Sequence, residues 1–255
     1  MSGNNALITG ASRGLGRELA HVFAENGFNL FLAARRSDQL ASLACELAGK
    51  YNITAEIISV DLNEPESPRQ IYNFIASKNI EIHVLVNNCG IGQFGAFNNA
   101  DITQVVSLIN INILSLTKLC RLFLENMLKN NYGKILNVAS MAALRPGPGM
   151  AVYFATKAYV LSFSRSLHYE LLHKNITVSA FCPGALPTEF ASEVSAPFKP
   201  VDYLNNKKII KNAALAAYKG LMRRKTVIVY GAINRLTAFL FKILPEIIYK
   251  YIFMH

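Results

Sequence analysis

A chain of 255 residues, 52% hydrophobic and 16% charged, has apolar material for one large core and lacks the composition of a disordered protein. Its four cysteines, Cys45, Cys89, Cys120 and Cys182, have neither CxxC nor CxxH spacing, which excludes a zinc motif and a disulfide framework and leaves no metal site to expect. The net charge of +10 comes without aromatic-interleaved basic motifs, so an anionic cofactor, substrate or membrane is the expected partner and nucleic acid is not.

The N-terminal MSGNNALITG lacks the basic and apolar regions of a signal peptide. Asn52-Ile53-Thr54 and Asn175-Ile176-Thr177 are therefore read as chance matches to a glycosylation pattern, and the expected setting is cytoplasmic and reducing. In chain order, Ala6 to Thr9 is an apolar run that ends in a Gly-rich turn, and from Leu15 the apolar residues recur at helical spacing up to Gly27. Strands are predicted over 28–34, 56–60, 83–86, 134–138, 176–181 and 226–230. Helices are predicted over 38–50, 67–78, 103–129 and 152–173, with an irregular stretch and a short helix before the last strand. Alternating strands and helices require crossover connections, hence one α/β domain over 1–255 with a Rossmann-like, doubly wound parallel sheet of about seven strands.

Thr9 to Gly16, TGASRGLG, places Gly10, Gly14 and Gly16 where the first strand turns into the first helix. Backbone N–H groups of Ser12 to Gly16 and the positive helix end can there face a pyrophosphate. Gly10-Ala11-Ser12-Arg13-Gly14 also fits the nucleophile elbow of a serine hydrolase. That reading needs a histidine brought to Ser12, and none of His21, His83, His168, His173 and His255 sits in an obvious late loop. At the end of the second strand an NAD enzyme carries an acid that holds the ribose 2′-hydroxyl, whereas this chain reads Ala33-Ala34-Arg35-Arg36. With Arg13, these guanidiniums point to a 2′-phosphate and so to NADP(H), against the plainer reading of a solvated turn. Asp61 follows the third strand and can accept from the adenine amino group, and Gly90 of Asn87-Asn88-Cys89-Gly90 lets the chain pass close to the cofactor.

Tyr153 and Lys157 lie four apart on one helical face, and Ser140 follows the preceding strand. Bringing the tyrosine proton near neutrality takes about three pKa units, or about 4 kcal/mol, which a nearby ammonium and an oxidised nicotinamide can supply. Ser140 can donate to a substrate oxygen as charge builds there, and Asn112, a poor helix former in mid-helix, can position Lys157 through water.

Jointly, TGASRGLG, Asp61, NNCG, Asn112 in INIL, Ser140 in NVASM, YFATK and PGALPT resemble the short-chain dehydrogenase/reductase family over essentially the whole chain. The resemblance implies a tetrad of Asn112, Ser140, Tyr153 and Lys157 and hydride transfer between the nicotinamide and a carbonyl carbon. Lys157 would also hold the nicotinamide ribose, with Leu186 and Thr188 near the carboxamide. Leu15, Leu62, Asn88, Pro183 and Gly184 would complete the cofactor site, and the long helices carrying Asn112 and Tyr153 would form a homodimer or homotetramer. Within the family the chain is most similar to the bacterial DltE-like branch, related to 17-beta-hydroxysteroid and very-long-chain 3-oxoacyl-CoA reductases. Cys89 stands where the family usually has Ala, and Phe154 where a small residue is common; Cys89 would make the protein sensitive to thiol reagents.

The expected activity is reduction of an apolar ketone, aldehyde or 3-oxoacyl group. The alternative is an NADP(H)-binding sensor or scaffold, which the complete tetrad argues against. Residues 186–220 are expected to cover the substrate. Residues 221–255 hold six Lys/Arg against one Glu, and 232–255 reads as an amphipathic helical tail with Ile233, Leu236, Leu240, Leu244, Ile247, Ile248 and Tyr251 on one stripe, kinked at Pro245. The stripe either packs on protein or contacts a membrane surface peripherally; it is too short and too charged to span one.

Overall fold

The computed structural model describes residues 4–190 and 207–243. Seven parallel strands form one sheet in the order β3-β2-β1-β4-β5-β6-β7. They are β1 (Asn5–Thr9), β2 (Asn29–Ala34), β3 (Ala55–Ser59), β4 (Val84–Asn87), β5 (Gly133–Val138), β6 (Ile176–Cys182) and β7 (Val227–Val229). The expected fold class is the observed one. β1 pairs with β2 on one side and β4 on the other, so the connections leave it in opposite directions and open a crevice at its carboxyl end. Near-continuous apolar runs such as ALIT and VLVN suit strands that are covered on both faces.

Helices α1 (Gly14–Glu25), α2 (Ser37–Tyr51) and α7 (Lys207–Met222) cover one face. Helices α3 (Ser67–Ala76), α5 (Leu116–Lys129) and α6 (Ala151–Glu170) cover the other. On the first face Phe23 packs edge-on against Phe28 at 5.2 Å and Tyr218 at 5.0 Å. Burying a side chain of this size contributes about 2–3 kcal/mol.

Helix α7 corrects the expected irregular stretch with a short helix. Its inner stripe is Ile210, Ala213, Ala214, Ala217 and Leu221, with the three alanines at zero exposure. Small side chains let it lie close on α1, and they carry too little hydrophobic contrast to stand out as a helical period. The inner stripe of this helix therefore belongs to the core, within the range expected to cover the substrate. The remainder of that predicted cover from 191 to 206, and Pro245 with Leu244, Ile247, Ile248 and Tyr251, lie outside the described residues.

The long predicted helix over 103–129 is also not one plain α-helix. It runs as α4 (Ile102–Ile109), a π-helical segment (Asn110–Ser115) and α5. The whole stretch is long and apolar enough to cross a membrane by length and composition. Leu108, Leu116, Leu119, Phe123 and Met127 are nevertheless buried in the domain, so it forms a wall of the core.

Beneath the carboxyl edge lies a polar brace inside the apolar core. Asn87 Nδ2 donates to Asn137 Oδ1 at 2.9 Å and to Cys120 Sγ at 3.2 Å, and Asn137 Nδ2 donates to Ser164 Oγ at 2.9 Å. These bonds join β4, β5, α5 and α6 beneath the candidate site, and they satisfy groups, all but Asn87 Oδ1, whose burial without partners costs about 1–3 kcal/mol each.

Candidate active site

The Gly-rich turn has almost no room for side chains. Gly10 has φ +64°, and a Cβ there would lie 2.9 Å from Cys89 Cα. A Cβ on Gly16 would lie 2.1 Å from the Gly10 carbonyl oxygen. The turn is latched to neighbouring strands: Gly10 N donates to Ala33 O at 2.8 Å, and Asn88 Nδ2 donates to Thr9 O at 3.0 Å and Gly10 O at 3.2 Å. Thr9 Oγ1 accepts from the N–H groups of Asn88 and Cys89, both at 3.1 Å, and donates to Val86 O. Thr9 is a positioning residue the sequence reading did not single out. Asn88, expected at the cofactor, also braces the turn. Leu15 is buried beneath the turn in the α1 core.

Along the same edge, Arg35 Nη1 lies 3.7 Å from Asp61 Oδ2, with the two side chains 60% and 39% exposed. A pair this open contributes little to stability and leaves Arg35 able to turn to another anion. Asp61 Oδ1 accepts from Asn63 N at 2.9 Å, which also makes it the turn former it was weighed against. Arg36 is the exposed residue before α2, and Ser115 of the π segment donates to Leu62 O at 2.6 Å, fixing that loop. Arg13 and Arg35 both lie near enough to Cys89 to favour its thiolate, but burial dominates and pushes the thiol up to about 11. This disfavours the thiolate and so weighs against the expected sensitivity to thiol reagents, although the side chain is partly exposed.

Three elements bring the tetrad together. Ser140 follows β5 and caps the short 3-10 turn Met141–Leu144 by accepting from Ala142 N at 3.1 Å. It is therefore both the cap it was weighed against and a hydrogen-bond partner of the Tyr153 phenol. Asn112 sits in the π segment, a distortion that commonly marks a functional position. Its Nδ2 donates to Ile91 O and to Thr156 Oγ1, both at 3.0 Å, while its Oδ1 accepts from Ile91 N at 3.0 Å. Asn112 thus ties the loop after β4 to the residue before Lys157. A Cβ on Gly90 would lie 3.2 Å from both Asn112 Oδ1 and Lys157 Nζ, so glycine keeps that approach open.

Lys157 is buried, with its Nζ donating to Val138 O at 3.0 Å and lying 5.8 Å from the Tyr153 ring centre. Burial pushes Lys157 down to about 8 and Tyr153 up to about 12, the bond with Ser140 offsetting the latter only in part. Among the protein's own groups desolvation outweighs the ammonium, so the expected lowering of the tyrosine depends on the oxidised nicotinamide as well.

This has a consequence for stability without cofactor. Below pH 8 the folded protein holds a buried ammonium; between about 8 and 10.5 the unfolded chain binds a proton that the folded one has released. The contribution of Lys157 therefore improves as pH rises through that window, by up to about 3 kcal/mol. Urea unfolding of wild type and Lys157→Met should show the variant's advantage shrinking from pH 7 to pH 10, the lost bond to Val138 being a constant offset. An unchanged difference would remove the buried-ammonium account.

The far wall is built from residues distant in sequence. Pro183 O accepts from Met141 N at 2.9 Å, and Gly184 meets the Asn234 amide so closely that a Cβ would lie 2.5 Å from it. Leu186 packs on the first core, its carbonyl accepts from Thr188 N, and the Thr188 methyl would stand 3.2 Å from a Cβ on Gly14. Residues 14 and 188 thus line one groove. Phe190 lies 5.7 Å from Tyr153, and Phe154 6.0 Å from it. Phe154, flagged as unusually large, fills space against Gly147. A small pocket lined by Gln93, Phe97, Leu108, Met150 and Tyr153 adjoins a cavity of about 260 Å³ lined by Gln93, Gln104, Ser107, Leu108 and Phe190. The sequence carried no local sign of Gln93, Gln104 or Phe190.

Ser12 gains no catalytic partner from three of the histidines: His21 pairs with Glu46, His83 accepts from Asn5 N at the opposite end of β1, and His168 bonds Val178 O.

Comparison with known proteins agrees with this geometry. The chain is 34% identical over 238 residues to a very-long-chain 3-oxoacyl-CoA reductase of Rattus norvegicus, covering 91% of this chain and 73% of that protein. It is 36% identical to the enzyme of the same name from Anas platyrhynchos over 198 residues, 75% of this chain but only 62% of that protein, less than two thirds of its length. Among solved structures, a short-chain dehydrogenase from Sphingobium yanoikuyae in complex with NADPH superposes with a TM-score of 0.82 at 28% identity, covering 95% of this chain and 97% of that one. One from Burkholderia phymatum in complex with NAD shares the fold with a TM-score of 0.83 at 23% identity, over 93% and 92% of the two chains. With residues 4–198 matching the family model for short chain dehydrogenase, the chain belongs to the short-chain dehydrogenase/reductase family of oxidoreductases.

Proposed function

We propose that the protein is an NADP(H)-dependent reductase of an apolar ketone, aldehyde or 3-oxoacyl group, in which Tyr153 donates the proton. The observation that carries this is the gathering of Ser140, Asn112, Tyr153 and Lys157 on the same sheet edge as the side-chain-free strip of Gly10, Gly14 and Gly90. That strip fits a dinucleotide. The N–H groups from Ser12 to Gly16 would hold its pyrophosphate, Arg13, Arg35 and Arg36 its 2′-phosphate, Asp61 and Leu62 its adenine, Asn88, Gly90 and Lys157 its ribose end, and Pro183, Gly184, Leu186 and Thr188 its carboxamide. When bound, the nicotinamide supplies the hydride and, once oxidised, a positive charge.

Ser140 and Tyr153 hydrogen-bond the substrate oxygen, and the Tyr153 proton passes to that oxygen as charge builds on it. Lys157 stabilises the phenolate that results, and Phe154 and Phe190 keep water from it. The 3-oxoacyl class is supported by the names of the curated relatives, the phosphate preference by Arg35 standing where an acid would serve NAD. We also place the chain in a reducing, cytoplasmic setting, from its unpaired cysteines, and assign it a homodimer or homotetramer. Exposed Ile109, Leu114 and Tyr159 on the helices carrying Asn112 and Tyr153 would form the contact, which sedimentation equilibrium reads directly.

The cofactor assignment is tested by titrating with NADPH and NADH, following reduced-nicotinamide fluorescence. Arg35→Asp with Arg36→Ser should weaken NADPH binding by about 30-fold or more, since each charge-assisted bond to phosphate contributes about 1.5–3 kcal/mol, and leave NADH within about threefold. Equal loss for both nucleotides would overturn the 2′-phosphate site.

A further inference from the structure

Helix α8 (Ala232–Ile243) is apolar on both sides. Its inner side builds the active-site wall: Ala238 is buried, Asn234 sits against Gly184, and Phe241 lies 5.8 Å from the Arg145 guanidinium, which also covers the Phe154 ring at 5.4 Å. At 3.6 residues per turn, Ile233, Leu236, Phe239 and Leu240 fall on the opposite side. They are 81%, 61%, 60% and 40% exposed. An outward arc of four large apolar side chains, most of their surface left in water, is the kind of surface that marks an interaction site.

Further large apolar side chains stand exposed beside the Tyr153 pocket. Arg145 leads into the turn at Gly149, which lies under Phe94, and Phe97 lines the pocket at Tyr153. Phe94 and Phe97 are themselves 41% and 64% exposed. Arg235 borders the arc, α8 contains no acid, and in sequence the following LPEIIYKYIFMH is again apolar and aromatic with one acid against one lysine.

We propose that the outer face of α8 and the Phe94–Phe97 turn seat the mouth of the active site on the headgroup layer of an anionic bilayer. A bilayer accepts Phe, Leu and Ile at the acyl boundary while its phosphates face Arg235. A second copy of the chain fits less well, since a symmetric contact through this face brings Arg235 of one copy toward Arg235 of the other. Resting on the reading of the cleft as a site for an apolar carbonyl, the substrate enters from the lipid rather than from water.

The chain has no tryptophan, so Phe239→Trp in the full-length protein provides a single reporter. With vesicles of phosphatidylglycerol and phosphatidylcholine, its emission should shift to the blue and be quenched by brominated acyl chains. The protein should float with these vesicles, and Leu236→Glu with Phe239→Glu, both at exposed positions, should cut the bound fraction about tenfold or more. Emission unchanged by vesicles, or a blue shift that grows with protein concentration in the absence of lipid, would overturn the proposal, the latter in favour of a contact between copies. Neither readout depends on turnover, and NADPH titration of the same variants reports separately on the reductase reading.

Discussion

Tyr153→Phe is expected to lower kcat about a thousandfold while leaving NADPH affinity within about twofold, a loss of about 4 kcal/mol from the barrier. The ring remains, so packing against Phe154 and Phe190 is retained; only the hydroxyl and its bond with Ser140 are removed. Because burial holds this phenol near 12, it is a poor acid until the oxidised ring and the developing substrate charge lie beside it. The loss should therefore fall on kcat rather than on KM. Steady-state kinetics with a water-soluble aldehyde, next to the fluorescence titration, separates the two. Turnover that survives would move the proton donor elsewhere, and loss of activity in Ser12→Ala instead would restore the hydrolase reading.

Gly16→Ala should remove cofactor binding by about a hundredfold or more and lower stability by about 1–3 kcal/mol. Its Cβ would stand 2.1 Å from Gly10 O, 2.5 Å from Asn88 Nδ2 and 2.8 Å from the Gly10 carbonyl carbon. The Gly10 backbone cannot yield cheaply, since bonds to Ala33 and Asn88 hold it. The turn must open, and the N–H groups aimed along the helix axis lose their common focus. Gly49→Ala is the matched control: nothing lies within 4 Å of its added Cβ, and the position is helical, so stability should rise by about 0.5–1 kcal/mol. Thermal unfolding of the two variants with and without NADPH reads both effects. Equal behaviour would mean that steric closeness at Gly16 is not what shapes the turn.

Asn112 illustrates how far the sequence carries. Its presence in mid-helix is an oddity of propensity visible at once; the π-helical segment that turns it toward Ile91 and Thr156 is not. That distortion is set by what the helix packs against, including Ser115 reaching Leu62. Helix α7 is longer than the short helix expected there for a related reason: the middle of its buried stripe is alanine and becomes meaningful only once α1 lies beside it.

By itself the sequence determined what is local: the alternation of strand and helix, the positive-φ turn at Gly10 and Gly14, the four-residue spacing of Tyr153 and Lys157, and the arginines ending β2. Each depends on residues within one or two turns of each other, where chain geometry allows few outcomes. Tertiary structure alone decided which distant groups meet and how dry they are. The Thr9 latch, the Asn87–Asn137–Ser164 brace, Thr188 beside Gly14, and Phe190 over Tyr153 join residues tens of positions apart. The opposed shifts of Lys157 and Tyr153 follow from desolvation, a property of everything that surrounds a group rather than of its neighbours in the chain.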